Sequence, residues 1–206
     1  MKIIKIIVFC IAISSLTNCA SSYKMIQPKS INYVSSNENS NVELQYKYEL
    51  LYKKYTKKEL KKGIKLVAIK IINNSNKDLI FGKDIVLTYE NDSEIYLVEN
   101  KQVYKLLKQS PLSYLWYLLL TPTNLFTTET NSSGIEETTS STPIGLLLGP
   151  GLAVGNMVAA DAANKKFKTE LLDYNIKGTV ITKGETQYGL IGIQTNSYDS
   201  IKLKVN

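Results

Sequence analysis

The sequence predicts a mainly β fold, an immunoglobulin-like β-sandwich of about seven short strands with a partly helical insertion. Two observations point to it. Short runs rich in Ile, Leu, Val and Tyr recur between Val42 and Val98 and again between Gly178 and Val205, each closed by Asn, Asp, Ser or Gly. Branched and aromatic residues set between turn formers are what pleated, half-buried strands require. The residues that separate the two groups, 101–174, change character: Leu-rich first, then Ser/Thr-rich, then apolar at helical spacing.

The chain opens with a short positive segment, Met1 to Lys5, followed by an apolar run from Ile6 to Leu16 broken only by Ser14 and Ser15. An apolar run this short does not cross a bilayer and reads as the core of a secretory signal peptide. It ends in Leu16-Thr17-Asn18-Cys19, with a Cys where the small residues of a cleavage site would stand. In these residues the chain resembles a bacterial lipoprotein precursor, over the leader and Cys19 alone. The resemblance implies that residues 1–18 are removed as a signal peptide, that the Cys19 thiol carries a diacylglycerol, and that the new amine is acylated, as with palmitate. Several acyl chains make attachment to a membrane effectively permanent. Ala20-Ser21-Ser22 follows, with no Asp after the Cys, and by the same resemblance this implies the outer membrane of the cell envelope.

Residues 19–42 then read as the lipidated Cys and a flexible tether, rich in Ser, Asn and Lys and without periodicity. The folded domain is expected over 43–206, its insertion over 101–174. Val42 to Leu51 is a candidate first strand. Ile64 to Ile72 is dense in Ile, Leu and Val and runs into Asn73-Asn74-Ser75-Asn76, a largely buried strand entering a turn. A short strand is placed at Leu79 to Phe81. Ile85, Leu87 and Tyr89 share one face of the next, and Asn91-Asp92-Ser93 turns the chain into Ile95 to Val98. Beyond the insertion, Gly178 to Thr182 and Tyr188 to Thr195 flank the turn Lys183-Gly184-Glu185. Ile201, Leu203 and Val205 alternate with Lys202, Lys204 and Asn206, the two-residue period of a half-exposed last strand.

Within the insertion, Ser110 and Pro111 form a helix start and Pro122 a stop, with Leu112, Tyr114, Leu115, Trp116, Tyr117 and three further Leu between them. A helix over 111–120 is about 15 Å long, half a bilayer core of about 30 Å, so it is either buried in protein or laid in a membrane interface. Residues 121–142, twelve of them Ser or Thr, read as a mobile polar spacer. Residues 143–160 are apolar again, with Gly145, Gly149, Gly151 and Gly155 at GxxxG spacing but with Pro150 and Asn156 inside the run. A Gly-rich connection that packs on the sandwich is preferred there to a membrane span of about 20 residues. From Leu152 to Tyr174 an amphipathic helix is expected, with Ala160, Ala163, Phe167, Leu171 and Tyr174 on its apolar stripe.

Composition narrows the chemistry. The chain has no His and no Arg, so all 25 basic residues are Lys, for a formal charge of +7. The usual proton shuttle and the commonest neutral metal ligand are therefore missing. Cys10 and Cys19 both fall in the first nineteen residues, which leaves the body without a thiol. No nucleophile elbow, phosphate loop or calcium-loop spacing occurs, so neither catalysis, a cofactor nor a bound metal is expected.

Charge gathers in one place. From Lys47 to Lys65 eight lysines stand against Glu49 and Glu59, interleaved with Tyr48, Tyr52 and Tyr55. Such a stretch is either a solvated basic loop or, through Lys53, Lys54, Lys57, Lys58, Lys61 and Lys62, a contact for anionic lipid or another polyanion. Nucleic acid is not the expected partner, because no Arg is present for bidentate base contacts. The sequence thus points to a non-catalytic, lipid-anchored envelope protein that docks to another envelope component. The alternative is a membrane-surface or polyanion-binding module that uses the Lys47–Lys65 segment together with Tyr114, Trp116 and Tyr117.

Overall fold

The structure, a computed structural model, describes residues 19–206; the signal-peptide reading of residues 1–18 lies outside the described residues. Among these, the chain forms eleven strands in several antiparallel sheets together with helices, a mixed architecture rich in β structure. It divides into two compact units, one of residues 19–22 and 109–163 and a larger one of residues 23–108 and 164–206.

In the larger unit, strands β1 (Ser35–Asn39), β2 (Val42–Lys47), β3 (Ile64–Asn73), β6 (Leu97–Val98) and β10 (Thr186–Gln194) build a five-stranded sheet in the order β1-β2-β3-β10-β6. β10 pairs along its whole length with β3, Thr186 opposite Ile72 and Gln194 opposite Ile64. Two small sheets complete the β part: β5 (Ile85–Thr88) with β11 (Lys202–Val205), and β4 (Leu79–Ile80) with β9 (Val180–Ile181). Val42, Leu44, Val67, Ile69 and Ile71 of the large sheet share one buried cluster with Ile85, Leu87 and Leu203 of the small ones.

The near-continuous apolar run of β3 reflects burial on both faces. Its second face is covered by helices, which a two-layer sandwich does not have. Helix α1 (Lys54–Lys62) is tied to the start of β3, where the Glu59 carboxylate accepts the Leu66 N–H at 2.8 Å. Helix α2 (Asn100–Leu107) packs on β10, and a Cβ on Gly192 would come within 2.2 Å of the Val103 side chain. That glycine is what lets the helix approach. Tyr23, Tyr55, Tyr104 and Phe167 form a chain of ring contacts at 5.2–6.1 Å between centroids.

Three expectations change here. The segment expected to be a tether is held down: Tyr23 and Ile26 are buried, and Glu170, itself buried, accepts the Tyr23 hydroxyl at 2.6 Å and the N–H groups of Ile26 and Gln27 at 3.0 and 2.7 Å. Residues Ser35–Asn39 then add a strand to the sheet. The basic segment is not a loop, because Tyr55 and Glu59, four apart, give α1 an inward face and Gly63, at φ 62°, closes it in the left-handed conformation. Helix α2 stands where the expected insertion begins and belongs to the larger unit.

In the smaller unit, Pro111–Leu120 forms a 3-10 helix and residues 121–142 form an antiparallel ribbon, β7 (Leu125–Thr130) with β8 (Glu136–Thr142), rather than a spacer without structure. Every residue of both strands is exposed. Helix α3 (Gly145–Asp173) starts in this unit and continues past Ala163 into the residues of the larger one. Of the expected stripe, Ala160, Ala163, Phe167 and Leu171 are buried. Its first turns sit on the end of the 3-10 helix: a Cβ on Gly145 would meet the Leu120 carbonyl oxygen at 2.1 Å, and one on Gly149 the Thr121 hydroxyl at 2.7 Å. Gly151 and Gly155, by contrast, face open space.

Candidate functional site

The smaller unit holds the expected lipidation residue. Cys19 is exposed, and its thiol is the hydrogen-bond partner of the Tyr117 hydroxyl. The next two residues are fixed at once. The Ala20 N–H donates to Asn156 Oδ1 at 2.6 Å, and Ser21 exchanges two hydrogen bonds with the Gln109 amide, at 3.0 and 2.6 Å. Ala20 also packs on the cluster of Tyr114, Tyr117, Ala153 and Ala160. Thus the 3-10 helix and the first half of α3 together hold the residues beside Cys19.

Those two elements carry a large apolar surface. A 3-10 helix has three residues per turn, so positions three apart line up. Tyr114 and Tyr117 accordingly point inward, their rings stacked at 6.4 Å and 6° between planes. Trp116, between them, points out and is 74% exposed, with Leu112, Leu115, Leu118 and Leu119 also exposed. The three aromatics singled out by sequence therefore divide into two that pack and one that faces outward. On α3, Leu146, Leu147, Leu148, Val154 and Val158 are exposed as well. This helix is long and apolar enough to cross a membrane, and 28% of its most apolar stretch is buried.

In the larger unit, α1 gathers the lysines singled out by sequence. Lys57, Lys61 and Lys62 are exposed on it, Lys54 and Lys58 half-buried, and Lys53 precedes it at a positive φ of 52°. Lys65, expected to belong to the same basic surface, is instead 2% exposed in β3, its ammonium 4.1 Å from the Tyr198 ring centroid and without a hydrogen bond. The Lys58 ammonium donates to the Lys108 carbonyl. Burial lowers the pKa of Lys58, and the positive charges of Lys62, Lys108 and Lys61 lower it further. Beneath α1, burial pushes the Glu59 carboxyl up to about 7, against the opposing pull of the Leu66 N–H and of Lys65. Sequence reading passed over Lys101, Lys105 and Lys108, whose spacing of four and three residues marked a helix with one basic face.

Among the described residues no group of three or more Cys, Asp or Glu is placed to hold a metal ion. Comparison with protein-family models, with curated proteins and with solved structures finds no match to this chain.

Proposed function

We propose that the protein is a non-catalytic, lipid-anchored cell-envelope protein whose Cys19-bearing unit is seated against a membrane, the outer membrane by the resemblance of its leader. The observation that carries the reading is the exposure of Trp116, Leu119, Leu146 and Leu147 on the two elements that hold the residues beside Cys19. Contiguous exposed apolar surface on a water-soluble unit marks a contact with lipid or protein. A Trp beside a Leu-rich stretch suits the boundary between head groups and acyl chains. This supports the interfacial-anchor reading of residues 111–120 over a core plug. Helix α3 is read as lying in the interface, because its second half carries Lys165, Lys166 and Lys168 and buries Phe167 and Leu171 in folded protein.

We read the sheets of the larger unit as an immunoglobulin-like sandwich with an added helical cover, supported by the single apolar cluster that the five-stranded sheet shares with β5 and β11. Docking to another envelope component is the second reading, and the β7–β8 ribbon favours it. Two strands with no buried face are marginal in water, and their free edges suit pairing with a partner strand.

Trp116 is the one tryptophan in the chain, so its fluorescence tests the membrane reading directly. In vesicles that carry the acylated protein, Trp116 emission should shift to the blue and be quenched by lipids brominated along their acyl chains. A Cys19→Ala variant should lose the added lipid mass and its stable partitioning into detergent. Emission unchanged from that of an exposed indole, with the protein anchored, overturns the seating. Unmodified Cys19 in the native host overturns the anchor.

A further inference from the structure

In the larger unit, α2 and the last turns of α3 enclose a cleft of about 530 Å³ whose lining has an uncommon composition. Lys101, Lys105 and Lys108 come from one stripe of α2 and its end, Lys168 from α3, and among the described residues no carboxylate lines the cleft. The ammonium groups of Lys108 and Lys168 are placed by an aromatic ring, 5.6 and 5.9 Å from the centroid of Tyr104. A ring of this kind holds an ammonium over its face and leaves the charge unneutralised. The floor is apolar: Leu171 is buried, and Leu172, one turn beyond Lys168, is 61% exposed. The two walls are joined, because the Asn100 amide donates to the Leu171 carbonyl at 2.7 Å. The Lys108 carbonyl accepts from the Lys58 ammonium of α1, which ties the end of α2 to that helix.

We propose that this cleft binds a phosphate-headed amphiphile, its phosphate among Lys101, Lys105, Lys108 and Lys168 and its apolar part over Leu171 and Leu172. A single carboxylate brings one charge to four ammonium groups, whereas a phosphate monoester brings up to about two and three acceptor oxygens. Lysine serves phosphate as a compact point charge with three donors, and it does not need the planar fork of Arg to do so. The exposed Leu172 gives a reason for an apolar tail that a free phosphate would leave unused. The inference does not rest on Cys19 or on the apolar unit, since every residue it uses lies in the larger one.

The test uses the full chain purified in non-ionic detergent, with retained lipid read by native mass spectrometry. The probes are dioleoyl phosphatidic acid, dioleoyl phosphatidylcholine and inorganic phosphate. Phosphatidic acid should be retained at least tenfold better than phosphatidylcholine. A Lys105→Ala/Lys168→Ala variant should lower that retention at least tenfold. A Lys202→Ala/Lys204→Ala variant, which removes the same charge from exposed positions on β11, should stay within twofold of the parent. Leu172→Asn should weaken phosphatidic acid and leave any phosphate binding alone. Equal retention of the two lipids, or equal loss in the two double variants, overturns the site. Displacement of phosphatidic acid by an equal concentration of inorganic phosphate overturns the amphiphile and assigns the cleft to a free phosphoryl group.

Discussion

Replacing Glu59 with Gln should stabilise the larger unit at alkaline pH and leave it unchanged near pH 4.5. Glu59 is 3% exposed, accepts the Leu66 N–H, and has its carboxyl pushed from the ordinary 4.5 up to about 7, mainly by burial. Lys65 pulls the other way and Glu49 adds to the rise. Because the folded-state value lies above the unfolded one, the protonated form is the one that folding favours. Below about pH 4.5 both states are protonated and nothing is lost; stability then falls as pH rises towards 7 and levels off above it. At about 1.4 kcal/mol per tenfold step, ionised Glu59 costs roughly 3 kcal/mol at pH 8.5. Gln keeps an acceptor for Leu66 and never ionises, so it removes that cost. Local opening free energies are read by hydrogen exchange. Protection of the β3 amides should therefore rise on the order of 100-fold in Glu59→Gln relative to the parent at pH 8.5, with no difference at pH 4.5. A variant that loses protection equally at both pH values would show that the carboxylate is a net stabiliser, and the assignment of burial as the dominant cause would be wrong.

Other substitutions test the packing. Glu170→Gln leaves one good acceptor for the three donors of Tyr23, Ile26 and Gln27, a loss of about 1–3 kcal/mol for each buried donor left over; trypsin should then cut after Lys24 and Lys29 at least tenfold faster, and an unchanged rate would mean that other contacts hold this segment. Gly145→Ala places a methyl 2.1 Å from the Leu120 carbonyl oxygen and should cost about 1–3 kcal/mol in melting of the smaller unit. Gly151→Ala, which meets nothing, should gain about 0.5–1 kcal/mol from helix propensity. Opposite signs in the two melts are the check.

The strands were legible because their signals are local. β3 announces itself as a branched apolar run closed by Asn73, and β11 by its alternation. What the sequence hid depends on distant partners. The segment 20–42 looks like a tether by composition, yet the acceptor that pins Tyr23 is Glu170, 147 residues away. The second layer on β3 was missed for a related reason, since a strand apolar on both faces does not say whether sheet or helix covers it. The 3-10 helix escaped because a run that is apolar on every side suggests no period, and which of its side chains turn inward, Tyr114 and Tyr117 rather than Trp116, is decided by what they pack on. For the basic segment the signal was present: Gly63 directly after Lys61 and Lys62 is a helix stop, and Tyr55 and Glu59 are one turn apart. The cleft on α2 could be anticipated only in part, because Lys168 joins Lys105 through the fold alone.

The early pinning of the chain bears on how an anchor at Cys19 would act. A flexible tether of about twenty residues would let a domain sit roughly 25 Å from its lipid. Here Ala20 and Ser21 are already bonded to Asn156 and Gln109, so acyl chains on Cys19 would leave from the folded surface itself. On the proposed reading the lipid supplies attachment and the exposed apolar side chains supply orientation. Each side chain such as Leu119 or Leu147 is worth about 1.5–3 kcal/mol when fully buried, so several of them suffice to seat the unit without help from a short leash. Inserting twelve Gly and Ser residues between Cys19 and Ala20 separates the two contributions. The protein should remain anchored, and Trp116 should still be quenched by brominated acyl chains, because its depth is set by the surface around it. Loss of quenching in the inserted variant, with anchoring intact, would mean that the lipid alone holds the unit at the membrane and that its apolar surface has another partner.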